Sequence, residues 1–435
     1  VLVIVIVAPA LAGLFMALAK LVGLPLGEYP VQRLCAATFS ASLLSLLLID
    51  IGLLSGALSE SVIRVGVAFS IRGYDFKVHL ILDKLSATFL TLDFALCGLV
   101  GAFSARYLHQ EEGYDRFFLQ LFAFAFGIAL IAAGGGLDLV FVGWEIVGLT
   151  SALLIAFFIR RKQPVENGLK AYSIYRISDA ALLLAVAYLH HAMHGRDLIA
   201  LSTLHLGDSE LLFLGTALVI GAMGKGAIFP LTAWLPRAME GPTPSSAIFY
   251  GALSVHASPF LLLRVFPLLE SSPTLRALIF GLGLITALYA SLVGRTQSDV
   301  KNALAYAAAS QIGLIWIEIA CGFTGFALLH LVGHSVLRTW QLLRAPSLLH
   351  DRHRLTSLKG EEYAMTTGQY VEQAVSPSIQ RRLYQLSLER FYLDELLFER
   401  LIGWPAKALR SLGELDKNFA KTLERKDING TEQTQ

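Results

Sequence analysis

The sequence predicts an all-α polytopic membrane protein, and three observations carry that prediction. Of its 435 residues, 55% are hydrophobic and 16% charged, whereas an average soluble domain carries about 25% charged residues. The apolar residues come in blocks: Phe117 to Ala133, Leu139 to Ile159 and Ala277 to Val293 approach or exceed the ~20 residues that cross a bilayer as helix. Lys and Arg gather in alternate connections between the blocks, as the positive-inside rule requires of a multi-pass chain. The net charge of +2 is small and spread along the sequence, which excludes a nucleic-acid-binding class.

About eleven spans follow from these blocks, centred near Leu11, Ser45, Ala95, Ala125, Ser151, Leu182, Ala217, Leu253, Leu284, Ala309 and His330. The first apolar stretch opens at Val1, and its length predicts a retained helix rather than a cleaved signal. Between the second and third spans, Ser61 to Leu82 alternates apolar and polar residues around Arg72-Gly73-Tyr74-Asp75. That is the pattern of a hairpin lying on one membrane face. In the seventh span Lys225 sits in Gly224-Lys225-Gly226, with Pro230, Pro236, Pro242 and Pro244 beyond, so the helix is expected to break around Lys225 to Pro236.

Arg160, Arg161, Lys162, Arg237, Arg295, Arg344, Arg352 and Arg354 fall on one side, while Gly134 to Asp138 and Cys321 to Gly325 opposite carry no Lys or Arg. This orientation makes the basic side cytoplasmic and the N-terminus and hairpin periplasmic, as for a bacterial inner-membrane protein. The chain divides into a transmembrane domain, 1–344, and a cytoplasmic tail, 345–435, with no apolar run long enough to span. Within the tail, Gln380 to Ile402 mixes charges with Leu, Phe and Tyr. An amphipathic helix is expected there, lying on the membrane surface, on a partner, or on its own bundle. Roughly the last ten residues, polar and charged, are expected to be disordered. Cys35, Cys97 and Cys321 lie in apolar runs with no CxxC spacing and read as small core residues, with no metal or cofactor site in this chain.

Ionisable residues inside apolar spans cost roughly 2.5 to 3.5 kcal/mol each on insertion scales and usually serve a function. Glu145, beside Trp144, lies in the first half of one span, and Lys225 at the broken helix is its candidate partner. A structural ion pair is the alternative. A lysine at a broken helix suits a group that takes up and releases a proton. His330, His334 and Arg338 follow one another at intervals of four, which puts them on one helix face. This suggests a proton relay or polar seam ahead of zinc, since no acidic residue sits close by in sequence. Lys301 opens the tenth span and is either a carrier or an interfacial lysine. Arg176 and Asp179 are placed to pair with each other, which alone would account for them, while His256, Asp93 and Glu318 read as satisfied interior groups.

Several segments, in order, resemble the antiporter-like subunits shared by respiratory complex I, Mrp-type sodium/proton antiporters and the DAB inorganic-carbon transporters. They are GWEIVGLTSALLIAFF from Gly143, NGLKAYSIYRISD from Asn167, GKGAIFPLTAWLPRAMEGPTPSSA from Gly224, QSDVKNALAYAAASQIG from Gln297 and HLVGH from His330. The resemblance implies a hydrated row of charged groups along the membrane. In it Lys225 carries the proton, Glu145 modulates its charge, Lys301 belongs to the connecting path, and His330 and His334 are relay histidines. Two residues depart from the pattern: Arg338 stands where respiratory members have a lysine, and Tyr250 where a histidine is usual. Arg338 stays protonated and so cannot pass a proton onward.

The segments HSVLRTWQLLRAPSLLHD from His334 and FYLDELLFERLIGWP from Phe391 look most like the membrane subunit of the DAB system. That resemblance implies a large soluble zinc-containing partner on the cytoplasmic face that hydrates carbon dioxide to bicarbonate. The zinc would belong to the partner, and proton or sodium flow through this chain would energise it. The alternatives are a proton- or sodium-translocating subunit of a complex I-like or Mrp-type assembly, and a structural membrane anchor whose buried charges are relics.

Overall fold

A computed structural model describes residues 1–24, 26–71, 74–193, 198, 201, 206–345, 376–403, 411 and 413–414. Among the described residues, ten helices are long and apolar enough to cross a membrane. In chain order they begin with α1 (Leu2–Leu21), α2 (Glu28–Leu54), α3 (Lys84–Tyr107), α4 (Tyr114–Ala133), α5 (Leu137–Ile155) and α6 (Lys162–Met193). The broken span follows, with α7 (Asp208–Gly226) and a short α8 (Trp234–Arg237). Next come α9 (Thr243–Arg264), α10 (Pro273–Gly294) and α11 (Val300–Ala320). The eleventh expected span forms as a helix of full length, α12 (Thr324–Leu343). It is not among the ten, because His330, His334, Arg338 and Gln341 make it too polar to count by composition alone.

The helices are layered by exposure. In α1 and α2 about a third or less of the apolar window is buried, whereas α9 is wholly enclosed by its neighbours. Apolar side chains such as Ile4, Leu14, Phe15, Leu44 and Leu48 therefore face outward, as lipid-facing residues do in a bilayer. Inside, glycines set the closest approaches. A Cβ on Gly224 would lie 1.8 Å from Ser178 Oγ, and one on Gly221 2.7 Å from Leu182 Cβ, so α6 and α7 pack nearly backbone to backbone.

The broken span departs from α-geometry where the prolines predict it. Helix α7 ends in a Schellman motif: Ile228 N–H donates to the Met223 carbonyl (3.1 Å) and Ala227 N–H to that of Gly224 (3.4 Å). Ala227 is left-handed at φ 49°. Past Pro230, which has no N–H to donate, the chain continues as a 3₁₀ turn (Leu231–Ala233), α8, and a second 3₁₀ turn (Ala238–Glu240). The first half of α9 is also irregular, a π-helix over Ser246–Leu253.

Strands β1 (Ser61–Ile71) and β2 (Tyr74–Leu82) form the expected antiparallel hairpin, with Ser61 opposite Leu82. Its turn residues Arg72 and Gly73 lie outside the described residues. Gly135 N–H donates to the His79 carbonyl (2.8 Å), which seats β2 on the α4–α5 connection. The hairpin thus lies at the opposite end of α5 from Arg160 and Arg161. There Asp83 caps α3 through the Ser86 N–H (2.7 Å) and pairs with Arg264 at the end of α9.

The tail differs from the single amphipathic helix expected over Gln380–Ile402. Helix α13 (Pro377–Leu388) stops, and Arg390, Phe391 and Tyr392 turn left-handed at φ 50°, 55° and 55°. A π-helix then resumes over Glu395–Ile402. The segment packs on its own bundle, at the end bearing Lys170, Arg237 and Thr296. Arg352, Arg354, the stretch from Pro346 to Val375 and the last residues of the chain lie outside the described residues. Cys321, expected in the core, is exposed at the C-terminal end of α11, whereas Cys35 and Cys97 are buried.

Candidate functional site

Helices α5, α6 and α7 bring four charged side chains into one row. Glu145 of α5 pairs with Arg176 of α6, and the same guanidinium donates through Nη2 to Asp179 Oδ2 at 2.7 Å. Asp179 Oδ1 accepts from the Trp144 indole N–H at 2.7 Å. Its Oδ2 lies 4.0 Å from Lys225 Nζ, and the Asp179 side chain is 3% exposed and that of Lys225 0%. The expected direct partner is therefore corrected. Glu145 meets Arg176, and Lys225 meets Asp179, because the one-turn spacing of Arg176 and Asp179 places a cation and an anion between the two predicted residues.

Lys225 occupies the last turn of α7, immediately before the break. Its ammonium lies over two aromatic faces, with the Trp144 ring centroid at 4.9 Å and that of Tyr175 at 4.7 Å. Rings of this kind favour a desolvated cation without fixing its proton. A Cβ at Gly148 would come within 2.9 Å of Nζ, so glycine on α5 is what leaves room for the ammonium. Among the described residues neither Lys225 Nζ nor Glu145 Oε1 has a hydrogen-bond partner, and both are buried. With all four groups ionised the row is neutral, and each end keeps an unsatisfied polar atom.

A second polar cluster lies between α9 and α12. His256 pairs with the Ala252 carbonyl through Nδ1, and its Nε2 is 2.9 Å from His334 Nδ1. Arg338 Nη2 approaches His334 Nε2 at 3.3 Å. Arg338 can only donate, so His334 Nε2 accepts. Its Nδ1–H then donates to His256 Nε2, and His256 Nδ1–H to the carbonyl. Both imidazoles are satisfied in their neutral forms by this assignment. His256 is thus a full member of the seam, not a lone interior group. Between the two clusters, the Tyr250 hydroxyl donates to the Ser151 carbonyl, and the Ser151 and Ser254 hydroxyls stand 3.5 Å apart.

His330 lies edge-on to His334, with ring centroids 6.2 Å apart, but makes its hydrogen bonds outside this seam. Its Nδ1 lies 2.7 Å from Glu318 Oε1 and its Nε2 3.0 Å from Gln311 Oε1, so Glu318, too, has a partner. The predicted line of His330, His334 and Arg338 shares one helix face, with His330 hydrogen-bonded to Glu318 and Gln311 and His334 to His256 and Arg338. Lys301 donates to the carbonyls of Met239 and Gly241, both at 3.2 Å. It holds the end of the broken span and stands apart from the Lys225 row. Asp93 is buried, with Cys97 Sγ 3.3 Å from Oδ1 and, among the described residues, no hydrogen-bond partner on Oδ2. Among the described residues, no group of three or more His, Cys, Asp or Glu is placed to hold a metal ion.

Sequence reasoning missed Arg176, Asp179 and His256 as members of these clusters. The available signal was depth, since a charged Asp179 and an uncharged but polar His256 each lie within apolar stretches, where such groups need a reason.

A multi-pass helical membrane protein with a buried row of charges ending at a broken helix is the class this architecture defines. The chain belongs to the NADH:quinone oxidoreductase/Mrp antiporter transmembrane family, whose profile matches residues 135–367, more than half of its length. The profile of the NADH-ubiquinone oxidoreductase (complex I) chain 5 N-terminus also matches, over residues 69–118. The chain is 32% identical over 317 residues to NADH-quinone oxidoreductase subunit L of Neisseria meningitidis, covering 69% of this chain and 47% of that protein. It is 33% identical over 283 residues to NADH-ubiquinone oxidoreductase chain 5 of Cryptococcus neoformans, covering 64% and 43%. The chain thus spans about half the length of the curated relatives it matches.

Among solved structures, the Mrp complex from a Dietzia species superposes with a TM-score of 0.66 at 22% identity, covering 78% of this chain and 37% of that one. The archaeal membrane-bound sulfane sulfur reductase, described as a respiratory membrane complex, gives 0.66 at 19% identity, covering 79% and 70%. Both likenesses are of fold.

Proposed function

We propose that this chain is a proton-translocating membrane subunit of a respiratory-type or Mrp-type assembly, in which Lys225 is the proton carrier. The observation that carries the reading is the buried row Glu145–Arg176–Asp179–Lys225, which ends at the break of α7 in an ammonium with no hydrogen-bond partner among the described residues. The row works as a charge switch. With Arg176 drawn to Glu145, Asp179 is left as the counter-charge of Lys225 and the ammonium is favoured. With Glu145 neutralised, Arg176 turns wholly to Asp179 and Lys225 keeps only part of that support. At 4.0 Å, one counter-charge is worth about 4 kcal/mol at an effective dielectric near 20. That is enough to move an amine between its charged and neutral forms.

The His334–His256 seam, with its permanent Arg338 charge, conveys electrostatic state across α9 rather than passing protons along. Lys301 fixes the end of the broken span. The placement is the inner membrane of a bacterium, with the basic connections and the tail on the cytoplasmic side.

The relatives favour this reading over inorganic-carbon transport. One observation keeps the second reading in view: the tail leaves Tyr384, Leu388, Tyr392 and Leu396 exposed, a face suited to a soluble cytoplasmic partner such as a zinc-containing carbonic-anhydrase-like subunit. Purifying the intact complex and assaying its vesicles separates the two. Antiporter-like or quinone-reductase companions, with proton movement that is independent of bicarbonate, support the respiratory or Mrp reading. A soluble zinc companion with uncoupler-sensitive bicarbonate uptake replaces it.

A further inference from the structure

The tail brings a carboxylate to the broken span, and it does so through a strained turn. Arg390, Phe391 and Tyr392 are three successive non-glycine residues at φ 50–55°, a conformation that costs about 1–2 kcal/mol per residue. Such strain persists only where the surroundings over-determine it. Here Phe391 packs on Tyr289 with ring centroids 5.6 Å apart, and the Tyr289 hydroxyl donates to the Arg390 carbonyl at 3.4 Å. Leu393 and Leu397 are buried. Phe398 receives the Arg237 guanidinium at 4.6 Å and Lys170 Nζ at 5.7 Å from its ring centroid.

The turn delivers Asp394. Its Oδ2 takes both Arg237 of α8 (2.7 Å) and Arg390 (3.1 Å), while the side chain remains 28% exposed. Its Oδ1 is buried and, among the described residues, has no hydrogen-bond partner. Near Asp394 lie three buried or partly buried hydroxyls, those of Tyr306, Tyr289 and Thr232. Tyr306 of α11 is buried, its hydroxyl faces that of Tyr289 of α10, and the two ring centroids lie 6.3 Å apart. Both tyrosines lie near enough to feel Asp394 and Arg390, and Tyr289 adjoins Thr232. Thr232, buried and facing the Tyr289 hydroxyl, stands in the 3₁₀ turn that follows the break after Lys225. Each hydroxyl both donates and accepts, so the file can hand a proton inward.

We infer that Asp394 is the group through which the broken span exchanges protons with the tail side of the membrane, by way of Tyr306, Tyr289 and Thr232. The inference rests on the proton-translocating reading above. A proton taken from solvent by the Asp394 carboxylate passes to a tyrosine hydroxyl as that hydroxyl gives up its own, so charge is conserved at each transfer. Arg237 and Arg390 position the carboxylate, and Lys170 lies over the Phe398 ring.

The test uses the full chain in its native complex, in sealed vesicles with a pH-sensitive dye inside. Asp394→Asn retains the hydrogen bonds to Arg237 and Arg390 and is expected to lower proton flux by roughly tenfold or more, as loss of a proton-transfer group does. Asp394→Glu restores most of it. Added formate, a small weak acid, recovers flux in Asp394→Asn but not in the Asp394→Asn/Lys225→Ala double variant, which sets the background. Wild-type flux in Asp394→Asn overturns the inference, and so does a loss that formate does not recover, because a purely structural latch gains nothing from a diffusible acid. Wild-type flux in Lys225→Ala would instead overturn the proton-translocating reading itself.

Discussion

Arg176 is the residue on which the charged row turns, because one guanidinium serves two carboxylates that belong to opposite ends of it. Substituting Asp179→Asn leaves Lys225 without its ion-pair partner and frees Arg176 for Glu145. Transport is expected to fall by roughly tenfold or more, since the counter-charge it removes is worth about 4 kcal/mol. Glu145→Gln is expected to impair transport less, acting through Arg176 rather than on Lys225 directly. Equal losses in the two variants, measured as vesicle proton flux, would argue for direct contact between Glu145 and Lys225. A separate prediction belongs to the hairpin end. Burial alone would push the Asp83 carboxyl up, but the Arg264 guanidinium and the Ser86 N–H together hold it below its usual range. A lowered native value means the pair adds stability that is complete above about pH 4, the unfolded carboxylate value, and is lost as pH falls through the native one. Asp83→Asn is therefore expected to lower the Tm at pH 7, with the gap to wild type closing on acidification.

The broken span makes its own predictions. Ala227 holds a left-handed conformation at the end of α7, where glycine would sit without strain. Ala227→Gly is expected to raise stability by about 1 kcal/mol, seen as a higher Tm in detergent with transport unchanged. Gly224→Ala is expected to do the opposite. Its new methyl meets Ser178 Oγ and drives α6 outward, carrying Asp179 away from Lys225, so both Tm and flux fall. The break itself was legible in the sequence, because prolines and glycines write their backbone constraints locally. So was the hairpin, whose alternation is a property of neighbouring residues. The left-handed turn at Arg390–Tyr392 was not, because no glycine marks it and tertiary packing alone sustains it. The π-helix before His256 was equally silent, and it is the element that presents His256 to His334. Arg176 and Asp179 were visible as a pair but not as a bridge, since nothing local in α6 specifies what α5 and α7 bring to it.

At the scale of the whole molecule, the outward-facing apolar helices α1 and α2 lie at the rim of an interior that holds Asp93, Asp179, Lys225 and Arg338. The clusters run from the Glu145 row through Tyr250, Ser151 and Ser254 to the His256–His334 seam, with α9 fully enclosed between them. That layout was half legible: Glu145, Lys225, Lys301, His330 and His334 were marked by depth and spacing, but their grouping into separate environments is a product of packing. The central claim is that Lys225 carries the proton. Its most direct test is proton flux into vesicles holding the intact complex, wild type against Lys225→Ala, under an imposed membrane potential. The account predicts that the variant assembles normally and that its flux falls to the level of empty vesicles. Wild-type flux in a fully assembled Lys225→Ala complex would contradict it.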